Sequence, residues 1–335
     1  MFARLLGRVS SAADLLRPKT FFRTLARVDS LADRTRELTA VVERLRIQTE
    51  QLMTIQRVDW ERRFDLTSVT RWLNADRIEA HVASAFEATP LELDPYPHIV
   101  VNNWLPHDVY DRIIDAMPAS IFFAHDRDQH WAVPMGVAPL YSRHVWAFVA
   151  NTIVGDILYR LLNQKFQDAI CRYIRSVVRS LPSGLDLRLH PSDGRIMLRR
   201  PGYELMPHRD PKWGFLTGIV YLARHGDSEA HGTQIYRVTN DAEAPTSRVH
   251  YVDPAKCELV KDVPFRANSI FAFLNSEGAH GASIPKDAQP ANLERYIYQF
   301  RLGPTGKVIN TLLDVMSPDK AATWAGAKTA RASAY

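Results

Sequence analysis

Two His-x-Asp triplets, His208–Asp210 and His225–Asp227, lie in one stretch, MPHRDPKWGFLTGIVYLARHGD. An imidazole and a carboxylate two residues apart on a strand point to the same side of the chain, so each pair could offer two ligands to one metal ion. The chain has 12 histidines and 37 acidic residues, and chance alone supplies about one such triplet in a composition of this kind. The flanks therefore decide. His208–Asp210 closes a strand-like stretch and precedes the apolar run GFLTGIVYLAR. His225–Asp227 sits in RHGDSEAHG, a string of turn formers that reads as a solvated loop. A stable site needs a third ligand, and His280 is the candidate. It follows an apolar strand and a polar turn in ANSIFAFLNSEGAHGASIP, flanked by small residues that leave room for a ligand. Fifteen residues on, Arg295 opens ERYIYQFRLG.

These residues need a scaffold. From residue 186 onward short apolar runs alternate with Pro, Gly, Asn and Asp turns: LDLRLH, GRIMLRR, GFLTGIVYLAR, GTQIYRV, RVHYV, SIFAFL and RYIYQFRLG. Before them the pattern is helical. PHDVYDRIIDAMP (106–118) has helical spacing and a proline stop, and Trp146, Val149, Ile153, Ile157 and Leu161 share one face of a long helix over 145–182. HIVVNNWL, after Pro95 and Pro97, reads as a strand. Helices followed by a run of short strands predict an α+β chain whose β part is a sandwich or barrel. The expected division is 1–65, a basic amphipathic start and a coiled-coil helix; 66–95, a helical linker; 96–310, the main domain with its β core at 186–303; and 311–335, a loose Ala-rich tail.

Over 25–58 the sequence repeats every seven residues. Leu31, Leu38, Leu45 and Leu52 take the d position, Val28, Thr35, Val42 and Thr49 take a, and Gly and Pro are absent. The repeat predicts either self-association or one amphipathic helix folded onto the domain.

Composition removes several classes. Of 42 basic and 37 acidic residues, six and one fall in 1–27, so the net charge of +5 belongs to that segment and the rest is neutral. That argues against a nucleic-acid partner. Residues 1–24 mix Phe and Leu with arginines and could touch a membrane surface, although Pro18 interrupts them. The start is too arginine-rich for a secretory signal, and no apolar run near membrane-spanning length is expected. Two cysteines, Cys171 and Cys257, make no disulfide framework and suit a reducing cytoplasm.

The segments RRPGYELMPHRDP, GFLTGIVYLAR, HGTQIYRV, RANSIFAFLNSEGAHGASIP and RYIYQFRLG, in that order, resemble the iron(II)/2-oxoglutarate-dependent oxygenases, most of all their prolyl-4-hydroxylase-like branch. The resemblance covers residues 195–303. It implies a double-stranded β-helix, a jelly roll of the cupin kind, with helical support before it. It further implies that His208, Asp210 and His280 hold Fe(II), with positions left open for 2-oxoglutarate and O2. Arg295 would grip the far carboxylate of 2-oxoglutarate, since a guanidinium can donate two parallel hydrogen bonds to it. Arg301 is the second candidate for that role, because the insert PKDAQPANLE lengthens the gap after His280. Arg200 or Tyr203 would add a hydrogen bond.

The implied reaction is a hydroxylation with release of succinate and CO2. Family halogenases carry a small residue in place of the carboxylate, and Asp210 stands there in this chain; desaturation or cyclisation stays open. Lys212, Trp213, Tyr236, His231 and the run HDRDQH (125–130) are candidates for contact with a small-molecule or glycan-type substrate. Two other readings compete: a cupin-type metalloenzyme that does not use 2-oxoglutarate, and a non-enzymatic coiled-coil scaffold with a ligand-binding jelly roll.

Overall fold

The computed structural model describes residues 18–63, 73–127, 130–178, 180, 183–211, 214–239, 251–275, 277–322 and 324. The expected loose tail over 311–335 is corrected over its first part, where helices extend to Ala322 and Leu312, Met316 and Trp324 are buried; the residues after 324 and the amphipathic start before residue 18 lie outside the described residues, as do Lys212 and Trp213. By its contacts the chain divides into two units, residues 1–59 and 60–335, each described by itself. The described residues of the first lie in one helix, α1 (Pro18–Arg63), continuous through all four heptads.

The second unit is built on two antiparallel sheets. Its elements are α2 (Ala75–Ala88), β1 (His98–Asn102), α3 (His107–Asp115), β2 (Ala124–Arg127), β3 (His130–Ala132), α4 (Leu140–Phe148), a π-helical stretch (Val149–Leu158), α5 (Tyr159–Val177), β4 (His190–Arg199), β5 (Glu204–His208), β6 (Leu216–Tyr221), β7 (Thr233–Val238), β8 (Cys257–Val263), β9 (Ser269–Leu274), β10 (Ala279–Ser283), β11 (Arg295–Gly303), α6 (Gly306–Val315) and α7 (Pro318–Ala322). The large sheet runs β1-β9-β6-β11-β4-β3-β2 and the small one β5-β10-β7-β8. Two facing antiparallel sheets with strands contributed alternately make a jelly-roll-like α+β fold.

The core between the sheets takes Met197, Ile219, Tyr221, Phe271, Phe273 and Ile297 from the large sheet and Ile235 and Val263 from the small one. The outer face of the large sheet is also covered. Trp146 of α4 stacks on Tyr298 of β11 at 5.5 Å and donates its indole N–H to the Ala116 carbonyl. A sheet buried on both faces needs apolar residues at both parities, and β6 and β9 are buried at every position.

The helix over 140–177 is continuous. It contains a window apolar and long enough to cross a membrane by composition, which the sequence reading did not expect. Here Ile153, Ile157, Leu162 and Phe166 of that helix are core residues. The buried face follows the predicted one to Ile157 and then continues at Leu162 rather than Leu161, since a π-helical turn takes in an extra residue.

Several expectations are corrected. The described residues of HDRDQH, a run in which no strand was expected, belong to the β2–β3 hairpin. LDLRLH contributes only His190 to a strand, and β8, with the sequence CELVKDV, was not foreseen. Of RVHYV, residues 248–250 lie outside the described residues, and Tyr251 forms an isolated bridge with His208.

Asn268 fixes the start of β9. It is fully buried and has a positive φ of 52°, a region that asparagine tolerates better than other non-glycine residues. Its side chain accepts from the Leu105 N–H at 3.1 Å and donates to the Leu105 carbonyl at 2.8 Å. Asn268→Ala strands both groups and is expected to lower the unfolding free energy by about 2–4 kcal/mol, read by urea denaturation. Asn268→Gly relaxes the backbone and should lose less. Equal stability of Asn268→Ala and wild type would refute this role.

Candidate metal centre

β5 and β10 pair antiparallel with His208 opposite His280, so two histidines distant in sequence project from neighbouring strands. Their rings lie 4.2 Å apart, centre to centre. Asp210, just beyond the end of β5, completes the group. One potential ligand atom from each of His208, Asp210 and His280 lies within 4.8 Å of the others, and all three residues are buried. Among the described residues no other group of three His, Cys, Asp or Glu side chains meets this geometry.

Each ligand is held by a partner. The His208 Nδ1 lies 3.0 Å from the Met206 carbonyl, which fixes Nδ1 as the protonated nitrogen and leaves Nε2 as the ligand atom. His280 packs against Phe273 at 4.5 Å. Burial, and then the neighbouring His208, push its pKa down to about 3. His280 is therefore neutral at physiological pH, as a ligand must be, and its 3.9 Å approach to Asp210 is not an ion pair.

For Asp210, burial raises the pKa, but Arg301, His280, His208 and the Thr217 hydroxyl together outweigh it and hold the carboxyl well below the usual range. Thr217 donates to Oδ2 at 2.6 Å. Asn275 in turn donates to the Thr217 oxygen at 3.0 Å and to the Gly214 carbonyl, which turns the Thr217 hydrogen toward Asp210. Arg301 Nη2 donates to Oδ1 at 3.1 Å.

A cavity of about 50 Å³ opens beside the triad, lined by Arg195, Met197, Arg199, Tyr203, Ile219, Thr233, Gln299 and Arg301 among others. By the criterion that one water fills roughly 10–15 Å³, it holds several water-sized groups. On the paired strands β4 and β11 Arg199 stands opposite Arg295 and Arg195 opposite Gln299; Arg195, Arg199, Gln299 and Arg301 line the cavity, and Arg295 lies beside Arg199 without lining it. The two ends differ. Arg199 and Arg295 are 6% and 2% exposed, whereas Arg195 is exposed. Arg199 lies over the Tyr203 ring at 4.8 Å and Arg295 over Phe265 at 4.6 Å. Arg295 donates one bond, to the Ser228 carbonyl at 2.9 Å, and burial lowers its pKa. The Nε of each has no hydrogen-bond partner. Neither guanidinium bonds a carboxylate among the described residues; Asp227 attracts Arg295 without bonding it, so both buried cations keep donors that an anion could take up.

The remaining sequence candidates fall as follows. Tyr203 lines the cavity and is kept in place by the insert after β10, whose Ala288 and Leu293 pack with it. Arg200 does not reach the cavity: it bonds Glu294 at 2.6 Å and lies over Trp131. Tyr236 and His231 do not line it either. His225 is exposed and pairs with Asp111, and Asp227 accepts from the Arg224 N–H in a turn, as a solvated loop requires. Of HDRDQH, residues 128–129 lie outside the described residues, and His125 packs on Trp131.

Arg199, Thr217 and Asn275 were missed. The parity of Arg199 was hidden because Ile196, Met197 and Leu198 are all buried, so no alternation marked which of Arg199 and Arg200 points inward. The small residues beside His280 also have a backbone reason. A Cβ on Gly281 would stand 2.9 Å from the Leu205 carbonyl, and Gly278, at φ +71°, lies against the Tyr96 ring.

No protein-family model matches the chain, and no curated protein matches it in sequence. Many solved structures are similar to it, and many of these are 2-oxoglutarate/Fe(II) oxygenases, prolyl hydroxylases among them. A Trichoplax adhaerens prolyl hydroxylase in complex with a hypoxia-inducible-factor peptide is 11% identical over 72% of this chain and 95% of its own, with a TM-score of 0.35. SnoN, a non-heme α-ketoglutarate-dependent epimerase from nogalamycin biosynthesis, is 12% identical over 68% and 83%, TM-score 0.41. HygX from Streptomyces hygroscopicus, with nickel, 2-oxoglutarate and hygromycin B bound, is 15% identical over 62% and 83%, TM-score 0.37. The chemistry of this site rests on the chain's own side chains.

Thr217→Val keeps the shape of the side chain and removes the donor to Asp210. Loss of a group that orients a metal ligand typically costs about 10–100-fold in metal affinity. That loss is expected for Fe(II) or Co(II) binding by Thr217→Val, measured by anaerobic titration. Unchanged affinity would remove Thr217 from the support of the site.

Proposed function

We propose that this protein is an Fe(II)- and 2-oxoglutarate-dependent oxygenase that hydroxylates a small-molecule or glycan-type substrate. The observation that carries this reading is the pairing of a three-ligand site with two buried guanidiniums that bond no carboxylate. Two neutral imidazoles and one carboxylate suit a ferrous ion and leave coordination positions open. Arg199 and Arg295 suit the distal carboxylate of a dicarboxylate, with Met197 and Ile219 beside its methylenes. Bound together, the metal and 2-oxoglutarate would let O2 oxidise a C–H bond, one oxygen atom going to the substrate and the other to succinate, with release of CO2.

The chain's own residues do the rest. His208 and His280 present nitrogen lone pairs. Asp210 stays ionised through Arg301 and Thr217, and its charge offsets part of the metal's. The apolar wall formed by Met197, Ile219 and Phe273 limits water around the reacting groups.

A three-ligand site would also suit a cupin-type metalloenzyme without 2-oxoglutarate, but that reading leaves Arg199 and Arg295 without a role. A scaffold with a decayed site gives no reason for a buried, fully supported triad.

The test is anaerobic titration of Fe(II) and then 2-oxoglutarate, following the visible charge-transfer band of the chelate, which needs no substrate. The wild type should form the band and Asp210→Ala should not. Arg295→Ala should require at least about tenfold more 2-oxoglutarate, the loss expected for a charge-assisted hydrogen bond. Iron binding without the band would move the cupin reading ahead, and no metal binding would favour the scaffold.

A further inference from the structure

Resting on that reading, we infer that the second substrate carries an oxyanion, a carboxylate or phosphate group, held at the mouth of the cavity by Arg195 and Arg301 with Gln299 between them. The inner faces of the paired strands β4 and β11 read Arg195, Met197, Arg199 and Arg301, Gln299, Ile297, Arg295. Basic residues stand at both ends and apolar ones between. Along β11 the backbone positions of the two arginines are six residues apart, about 20 Å at the strand rise, with Arg301 at the Asp210 end and Arg295 at the other. The buried end already has an occupant in the 2-oxoglutarate reading. The mouth end does not.

Charge points the same way. The cavity lining contains Arg195, Arg199 and Arg301 against one acid, Asp210. A divalent ion and a 2-oxoglutarate dianion cancel each other, and Asp210 offsets one arginine, so the loaded cavity keeps an excess of two positive charges. A cleft of one sign, walled by apolar residues, concentrates ions of the other sign. Arg301 spends Nη2 on Asp210, and its side chain is 16% exposed. Arg195 pairs with no carboxylate among the described residues. Gln299, on the same face, adds an amide that can donate to an oxyanion. The substrate class thus narrows from any small molecule or glycan to an acidic one.

The probes are glycerol 3-phosphate and its neutral counterpart glycerol, titrated by anaerobic calorimetry into wild-type protein already carrying Fe(II) and 2-oxoglutarate. Loading is confirmed first by the charge-transfer band. The phosphate ester should bind in the millimolar range and glycerol should not. Arg195→Gln should weaken the ester at least about tenfold while the 2-oxoglutarate requirement stays within about twofold. Equal binding of ester and glycerol, or an Arg195→Gln protein that binds the ester like wild type, overturns the inference. So does an ester that merely competes with 2-oxoglutarate. Failure of the band in wild type is a separate result, which removes the oxygenase reading itself.

A different observation, in the first unit, carries a second inference: α1 is a self-association element whose partner is the same helix of another copy. Among the described residues, twelve of the nineteen exposed large apolar side chains lie on α1. The seam residues Val28, Leu31, Leu38, Val42, Leu45 and Leu52 are each more than half exposed. An isolated helix gains little stability from propensity alone and needs such a stripe covered. The threonines at a are compatible with burial. Thr35 and Thr49 donate their hydroxyls to the Leu31 and Leu45 carbonyls at 2.7 and 2.8 Å, so methyl groups and satisfied hydroxyls would enter the seam.

Charges do not oppose self-pairing. Arg46 is drawn toward Glu43 and Glu50. In a parallel, in-register pair Arg27 and Arg34 would face Ala32 and Thr39 of the other copy rather than another arginine. Sedimentation velocity on the full chain should give an oligomer for wild type and a monomer for the double variant Leu38→Glu, Leu45→Glu, with metal binding retained. A monomeric wild type at tens of micromolar, or a double variant of unchanged mass, overturns it.

Discussion

The register between β5 and β10 is the constraint on which the site depends. His208 stands opposite His280 across one antiparallel ladder, and a slip of one residue would turn either histidine to the other face of the small sheet. The register is secured from both sides of β10. On one side Gly281 lets the Leu205 backbone approach. On the other, β7 pairs with Ala279, His280 and Gly281. Asp210 is then placed by the chain leaving β5 and fixed by the hydroxyl and amide of Thr217 and Asn275, which belong to the large sheet and the turn after it. The ligand set therefore joins the two layers of the fold, and its support is distributed over both.

Electrostatics follows from the same geometry. Asp210 is an ion in a buried place, and it stays ionised because the Arg301 guanidinium and the Thr217 hydroxyl donate to it. The arginines at the other end of the β4–β11 pair bond no acid, and only Arg295 is drawn by one, Asp227, without bonding it. One sheet thus contains a cation bonded to an acid and two that are not, and that asymmetry, more than the shape of the cavity, gives the molecule a direction for a ligand.

The sequence made part of this legible. His-x-Asp before an apolar strand and a histidine after another are local patterns, and they lead to residues that the fold brings together. The helix of 106–118 and the long helix after it were readable from periodicity. What escaped was whatever depends on parity within strands buried on both faces. Arg199 could not be told from Arg200 in IMLRR, and Thr217 and Asn275 carry no signal in sequence because each acts through a neighbour from another strand. The edge strand β8 and the hairpin β2–β3 were hidden by polar composition, since an edge strand can satisfy half of its backbone in water.

The insert between β10 and β11 has a consequence for how this chain could change over time. Eleven residues, IPKDAQPANLE, separate the histidine strand from the arginine strand, yet the register of β11 is set by its pairing with β4 and β6. Loop length and side-chain placement are therefore uncoupled. The connection can grow or shrink without moving Arg295 or Arg301, at a loop-closure cost that rises only slowly with length. Because Ala288 and Leu293 of that same segment pack against Tyr203, the insert is a place where new sequence can reshape one wall of the cavity while the ligands stay fixed. Lineages of this fold could therefore diversify at this loop without rebuilding the metal centre.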